Sequence, residues 1–282
     1  MNEPSFNSIF SLLPETENPK QGAIEGVPCI LHEDHRWLLP IAHVAQEAGI
    51  LPKPCTVVMY DSHHDAFNPQ PGAFPKLRQL RARPSLRGLV SLCGQFLSNA
   101  DNDWLKAGME IGMFGDAAVF GVEDPSNCPN GVYIDRAGLA HRIECDNEIP
   151  GTTALSPQGH LADVCRMSEF RPLWQLVGWE SSHHTFRFVP NLRKILLSID
   201  LDCFSVMVQN HLCQWPTKVF REELLKPATC GWTGAAFLRA LAMKAGLVTI
   251  EREHGCCGGR EESEGILRNL IQYGFDGRLS FH

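Results

Sequence analysis

The chain has 282 residues, of which 44% are hydrophobic and 20% charged, and its formal net charge at pH 7 is -7. That length suits a single α/β domain with a large core, and the composition is that of a globular protein. An acidic chain lacks the basic face that phosphate binding needs, and no apolar run reaches the ~18 residues of a membrane helix, so neither nucleic acid nor a membrane is expected as a partner.

Taken in order, residues 1–27 read as an N-terminal extension to one domain spanning 1–282, and Met1-Asn2-Glu3-Pro4-Ser5 has no basic region of the kind that opens a secretory signal. A cytoplasmic protein is expected. Pro28-Cys29-Ile30-Leu31 reads as a strand that ends in His32-Glu33-Asp34-His35, and Arg36 to Ala45 starts a helix. Val57-Val58-Met59-Tyr60 is an apolar strand that exits through Asp61-Ser62-His63-His64-Asp65, before a long turn at Asn68-Pro69-Gln70-Pro71-Gly72. Helical patterns follow near Leu86 to Leu97 and Trp104 to Ile111, then a strand at Ala117 to Val122 and an edge hairpin built from Val132 to Asp135 and Leu139 to Glu144. A helix over Leu161 to Phe170 and a polar stretch carrying His183 and His184 lead to the strand Ile195 to Ile199, which ends in Asp200-Leu201-Asp202. Helices at Lys218 to Leu225 and Thr233 to Ala245, a late strand Gly246 to Glu253 and a closing helix Glu262 to Tyr273 complete the pattern. Strands alternating with helices imply a mostly parallel sheet with helices around it.

Three of these strands end in His or Asp. In a parallel sheet all carboxyl ends lie along one rim, so ligands far apart in sequence can converge there. A hydrophobic strand that leaves through carboxylates costs desolvation free energy unless the charges find partners, and bound cations are well matched to alternating carboxylate and imidazole. Such oxygen-rich sets suit Mn²⁺ better than thiol-seeking metals. The 11 cysteines are scattered, with no C-x-x-C pair, and read as buried thiols; Cys256 and Cys257 lie in a Gly-rich loop that could line the site.

In order and separation, Asp34-His35, Asp61-x-His63-x-Asp65 and Asp200-x-Asp202 resemble the metal motifs of the arginase and agmatinase (ureohydrolase) superfamily. Over most of its length the chain is most similar to the divergent arginase-like branch that includes peptide arginases, which convert arginine side chains of ribosomally made peptides to ornithine. The resemblance implies a three-layer α/β/α fold and two Mn²⁺ ions, one held by His35, Asp61, Asp65 and Asp200, the other by His63, Asp61, Asp200 and Asp202, with Asp61 and Asp200 bridging. Asp65 or Asp202 is then expected to carry the proton during hydrolysis of a guanidinium to urea and an amine. A late strand-end Glu orients the guanidinium through paired hydrogen bonds; Glu251 takes that place, with Glu253 as the alternative on the same strand face.

Arginases for free arginine follow the second motif with a loop that grips the α-carboxylate and offers a shuttle His. Here Ala66 to Phe74 stands instead, with no His between His64 and His141. The expected substrate is therefore arginine already in peptide linkage within a precursor peptide, with His64 or His183 replacing the shuttle and His64 also in substrate binding. The alternatives are a small-molecule guanidino hydrolase, a deacetylase-like amidohydrolase, or a metal-stabilised protein that binds cationic peptides without turnover. The oligomeric state is left open.

Overall fold

A computed structural model describes residues 6–123, 127–147, 149–150, 152, 179–182, 185–188, 194–227 and 233–282. The expected helix at Leu161 to Phe170 and the pair His183 and His184 lie outside the described residues. Helices are α1 (Asn7–Phe10), α2 (Leu38–Glu47), α3 (Phe74–Ala82), α4 (Leu86–Gln95), α5 (Trp104–Glu110), α6 (Thr217–Leu225), α7 (Gly234–Lys244) and α8 (Arg260–Asn269). Strands are β1 (Lys20–Ile24), β2 (Val27–His32), β3 (Cys55–Tyr60), β4 (Phe114–Phe120), β5 (Gly131–Ile134), β6 (Ala140–Asp146), β7 (Trp179–Ser182), β8 (Thr185–Phe188), β9 (Ile195–Asp200), β10 (Ser205–Val208), β11 (His211–Gln214), β12 (Ala245–Glu251) and β13 (Ser280–Phe281).

Among the described residues a nine-stranded sheet runs β13-β1-β2-β12-β9-β3-β4-β6-β5. From β2 to β6 every pairing is parallel, and antiparallel strands close both edges. Strands β9 and β12 are buried along their whole length, as near-continuous apolar runs covered on both faces should be. Alternation along β3 sends Val57 and Met59 into a core with α2, α4 and α5, and Val58 and Tyr60 into a second core with α6, α7 and α8. The protein is thus α/β, with a large, mostly parallel sheet flanked by helices.

Three local differences from the sequence reading have physical causes. Residues 6–26 contribute to the sheet and core: β1 pairs with β2 from Val27 to Leu31, and Phe6 and Ile9 are completely buried. Each such side chain contributes about 1.5–3 kcal/mol by leaving water. Helix α3 escapes a periodicity search because only Leu77 and Leu80 of it are buried. The β10–β11 hairpin turns through Gln209 and Asn210, at φ 48° and 67°, a two-residue loop with both φ positive that is usually signalled by Asn-Gly. Helices α4 and α7 start as their sequences suggest, with Ser85 and Thr233 accepting from the amides of Gly88 and Ala236. Among the described residues no helix is long and apolar enough to cross a membrane.

Candidate metal centre

The strands that end in His and Asp are neighbours. β2, β12, β9 and β3 lie side by side, and the register aligns His32, Glu251 and Asp200 across the first three, while Tyr60 pairs with Ile199. Asp61 therefore leaves β3 abreast of Asp200.

Each aspartate motif carries the same local device. Asp61 Oδ1 accepts the His63 amide at 2.7 Å and Asp200 Oδ1 accepts the Asp202 amide at 2.9 Å, both two residues on. Short polar side chains favour such local bonds. The second oxygen of each is left for other work, and both point at one atom: His35 Nδ1 lies 3.5 Å from Asp61 Oδ2 and 3.4 Å from Asp200 Oδ2, and 3.0 Å from Asp65 Oδ2. His35 Nδ1, Asp61 Oδ2 and Asp200 Oδ2 are buried without a hydrogen-bond partner among the described residues. Unpaired buried polar atoms are costly, so three of them facing one point fit a cation.

The surrounding groups orient these side chains. His35 Nε2 lies 3.0 Å from Ser198 Oγ and 3.3 Å from Glu251 Oε2, and Ser198 itself donates to Glu251 at 3.1 Å. With its hydroxyl proton given to Glu251, Ser198 accepts from His35 Nε2–H, so in the neutral ring the lone pair falls on Nδ1, on the cluster side. Trp104 Nε1 donates to Asp65 Oδ2 at 2.5 Å. Ser62 Oγ donates to Asp202 Oδ2 at 2.5 Å, and His63 Nδ1 is 3.0 Å from the same oxygen. Ligating atoms group within 4.8 Å as His35–Asp61–Asp65, His35–Asp200–Glu253, Asp61–His63–Asp202 and Asp202–Glu253–Cys256. All six sequence-expected metal ligands are thus brought together, and their oxygen-rich, imidazole-containing set suits a hard divalent cation.

Electrostatics reflect the crowding. Burial, then the neighbouring carboxylates, push Asp61 and Asp200 well above the usual aspartate range. Burial opposes charge on His35, but Glu251, Asp65 and Asp61 outweigh it and push its pKa up. The Asp202 hydrogen bond is the main reason His63 rises to about 10. Asp202 is held below its ordinary value: burial works against this, but His63 and Ser62 prevail. Burial raises Glu253 to about 7.

Beside the cluster opens a cleft of about 380 Å³, whose lining includes His63, Glu123, Asp202, Met207, Leu212 and Cys256. No Lys or Arg lines it among the described residues.

Two expected site residues stand elsewhere. Glu251 is fully buried, 3.0 Å from His32 Nε2 and committed to His35 and Ser198; it sits behind His35, away from the cluster, because β12 still has strand geometry there. Glu253 is the one that reaches the cluster, since the chain has left the strand and turned at φ 33°. His64 packs its ring on Phe67 at 4.5 Å and accepts the Ala66 amide, so it joins neither the cluster nor the cleft. Sequence reading missed Ser198, Ser62 and Trp104. Ser198 was reachable, two residues before Asp200 on the same strand face; Trp104 carried no local signal. A scan against protein-family models finds no match to this chain, and a search of curated proteins finds none either.

Proposed function

We propose that this protein is a Mn²⁺-dependent ureohydrolase of the arginase kind, acting on arginine side chains within a peptide to give ornithine and urea. The observation that carries the reading is the convergence of His35, Asp61 and Asp200 on one point, with a buried, unpartnered atom on each. The mostly parallel sheet with helices on both faces agrees with the three-layer arginase-like fold.

In this reading His35, Asp61, Asp65 and Asp200 hold one ion and His63, Asp61, Asp200 and Asp202 the other. Paired divalent ions supply Lewis acidity, which makes a nucleophile of water at neutral pH. The chain's own residues do the rest. Glu253, between the cluster and the cleft, takes the guanidinium in place of Glu251, and the arriving cation favours its ionised form. Asp65 or Asp202 carries the proton from water to the leaving nitrogen. As water adds to the guanidinium carbon, the C–N bond to the side chain breaks; urea leaves and the amine keeps the transferred proton.

Two features favour a peptide over free arginine. The cleft is acidic and open, with Met207 of the β10–β11 hairpin about half exposed at its wall. The loop after Asp65 offers no α-carboxylate grip: Phe67 packs on His64, and Asn68 accepts from Lys106 at 3.1 Å. The test is urea release by Mn²⁺-loaded protein, with free arginine and an arginine-containing peptide side by side and Asp61→Ala as control. Release from the peptide, lost in the variant, is expected. Release from arginine alone would overturn the peptide reading, and no urea from any guanidino compound would overturn the ureohydrolase reading.

A further inference from the structure

Glu253 reaches the cluster only because its backbone adopts φ 33°, the left-handed region that residues with a Cβ rarely occupy. Such a conformation persists where the surroundings over-determine it. Inside the turn the Glu253 carbonyl accepts the amides of Cys256 and Cys257 at 2.8 and 3.1 Å, and Glu33 ties the turn to β2 from outside. Glu33, at the exit of β2, accepts the His254 amide on Oε1 at 3.0 Å and Arg252 Nε on Oε2 at 3.1 Å, and His254 Nε2 lies 3.3 Å from the same Oε2. Its carbonyl accepts the Glu253 amide at 3.1 Å. The residue and both its neighbours are therefore tied to Glu33.

The clamp is itself anchored. Arg252 also donates to the carbonyls of Glu17 and Asn18, at 2.8 and 3.0 Å, while Glu17 Oε2 accepts the amides of Glu33 and Asp34 at 3.2 and 3.0 Å. On the far side His254 Nδ1 meets Ser263 Oγ of α8 at 2.5 Å. Glu33 belongs to none of the metal-capable groups among the described residues. Its side chain is spent on the loop alone.

We propose that Glu33 is a positioning residue: it sets substrate affinity by holding Glu253 in its left-handed conformation over the metal cluster. The inference rests on the reading of Glu253 as the guanidinium anchor. The test uses the full chain loaded with Mn²⁺ and a double-mutant cycle of Glu33→Gln and Glu253→Gln. Glu33→Gln keeps the shape but presents an amide to Arg252 and His254 where a charge was. Its Mn²⁺ content stays at the wild-type level, while KM for an arginine-containing peptide rises about tenfold or more with little change in kcat, as loss of a charge-assisted contact predicts. Adding Glu33→Gln to Glu253→Gln then costs nothing further, because both act on one contact. Effects that add independently would overturn the proposal.

Hydrogen exchange separates the proposal from the functional reading. Faster exchange of the His254 amide in Glu33→Gln, at unchanged Mn²⁺ content, supports the clamp even if no guanidino compound is turned over; unchanged exchange overturns it. Should Glu33→Gln not fold, Glu33→Asp, which keeps the charge and shortens the reach, carries the same cycle and the same exchange measurement.

Discussion

Removing one buried hydroxyl tests whether the groups behind His35 prepare it for a metal. Ser198 is completely buried, and its Oγ lies 3.0 Å from His35 Nε2 and donates to Glu251 Oε2 at 3.1 Å. Ser198→Ala deletes both contacts, but the 3.3 Å approach of His35 Nε2 to Glu251 Oε2 survives. A hydrogen bond to a charged group is worth about 1.5–3 kcal/mol. Lost orientation of a ligand histidine typically weakens metal affinity about 10–100-fold. Calorimetric titration of Mn²⁺ into Ser198→Ala is therefore expected to give a dissociation constant raised about tenfold or more, the surviving link keeping it near the low end. The metal-free protein should melt a few degrees lower, since about 1 kcal/mol moves Tm by roughly 2–4 °C at this chain length. Ser85→Ala is the control: it removes the N-cap of α4, costs about 1 kcal/mol of stability and leaves Mn²⁺ binding alone. If Ser198→Ala weakens Mn²⁺ binding no more than Ser85→Ala does, the orienting role is refuted.

Metal-free stability should fall as pH rises between 6.5 and about 10: His63 is raised to about 10 by Asp202, so its contribution is full below 6.5 and lost as pH climbs through the folded value. Asp61 and Asp200, also raised, act in the same direction, whereas the depressed Asp202 and Glu251 contribute a constant amount in this window. His63 is half exposed, so the slope is shallow; melting curves in chelator should show it, and saturating Mn²⁺, which needs deprotonated ligands, should flatten or reverse it. Trp104→Phe removes the donor to Asp65 Oδ2, and an Mn²⁺ affinity lowered about tenfold is expected by titration, with equal affinity counting against the arrangement. Gly108→Ala in α5 places a Cβ 2.0 Å from the buried Phe114 ring, which should cost about 1–3 kcal/mol in a urea unfolding experiment without changing metal stoichiometry.

Much of the centre was legible because its chemistry is local. In Asp61-x-His63 and Asp200-x-Asp202 the first carboxylate spends one oxygen on the amide two residues on and leaves the other free, a device that needs only the short motif and the strand end before it. The strands themselves were legible from apolar, β-branched runs: β3 and β9 stand where those runs predicted, whereas β12 ends at Glu251, two residues before the expected Glu253. Less was visible where packing lacks a sequence period: β1 buries only Gly22 and Ile24, α3 buries only two side chains, and the β10–β11 turn uses residues that rarely signal one.

The sequence by itself determined the His and Asp residues of the cluster, their order, and the alternating cores on the two faces of the sheet, because hydrogen bonds over two residues and side-chain periodicity act within a few positions of the chain. Only the tertiary structure decided that β12 inserts between β2 and β9. That placement puts Glu251 behind His35, lets Glu33 hold the following turn, and gives the cluster Glu253 instead. The difference between those two glutamates is one of backbone direction, extended at the first and left-handed at the second, and the turn that sets it is tied to residues more than two hundred positions away.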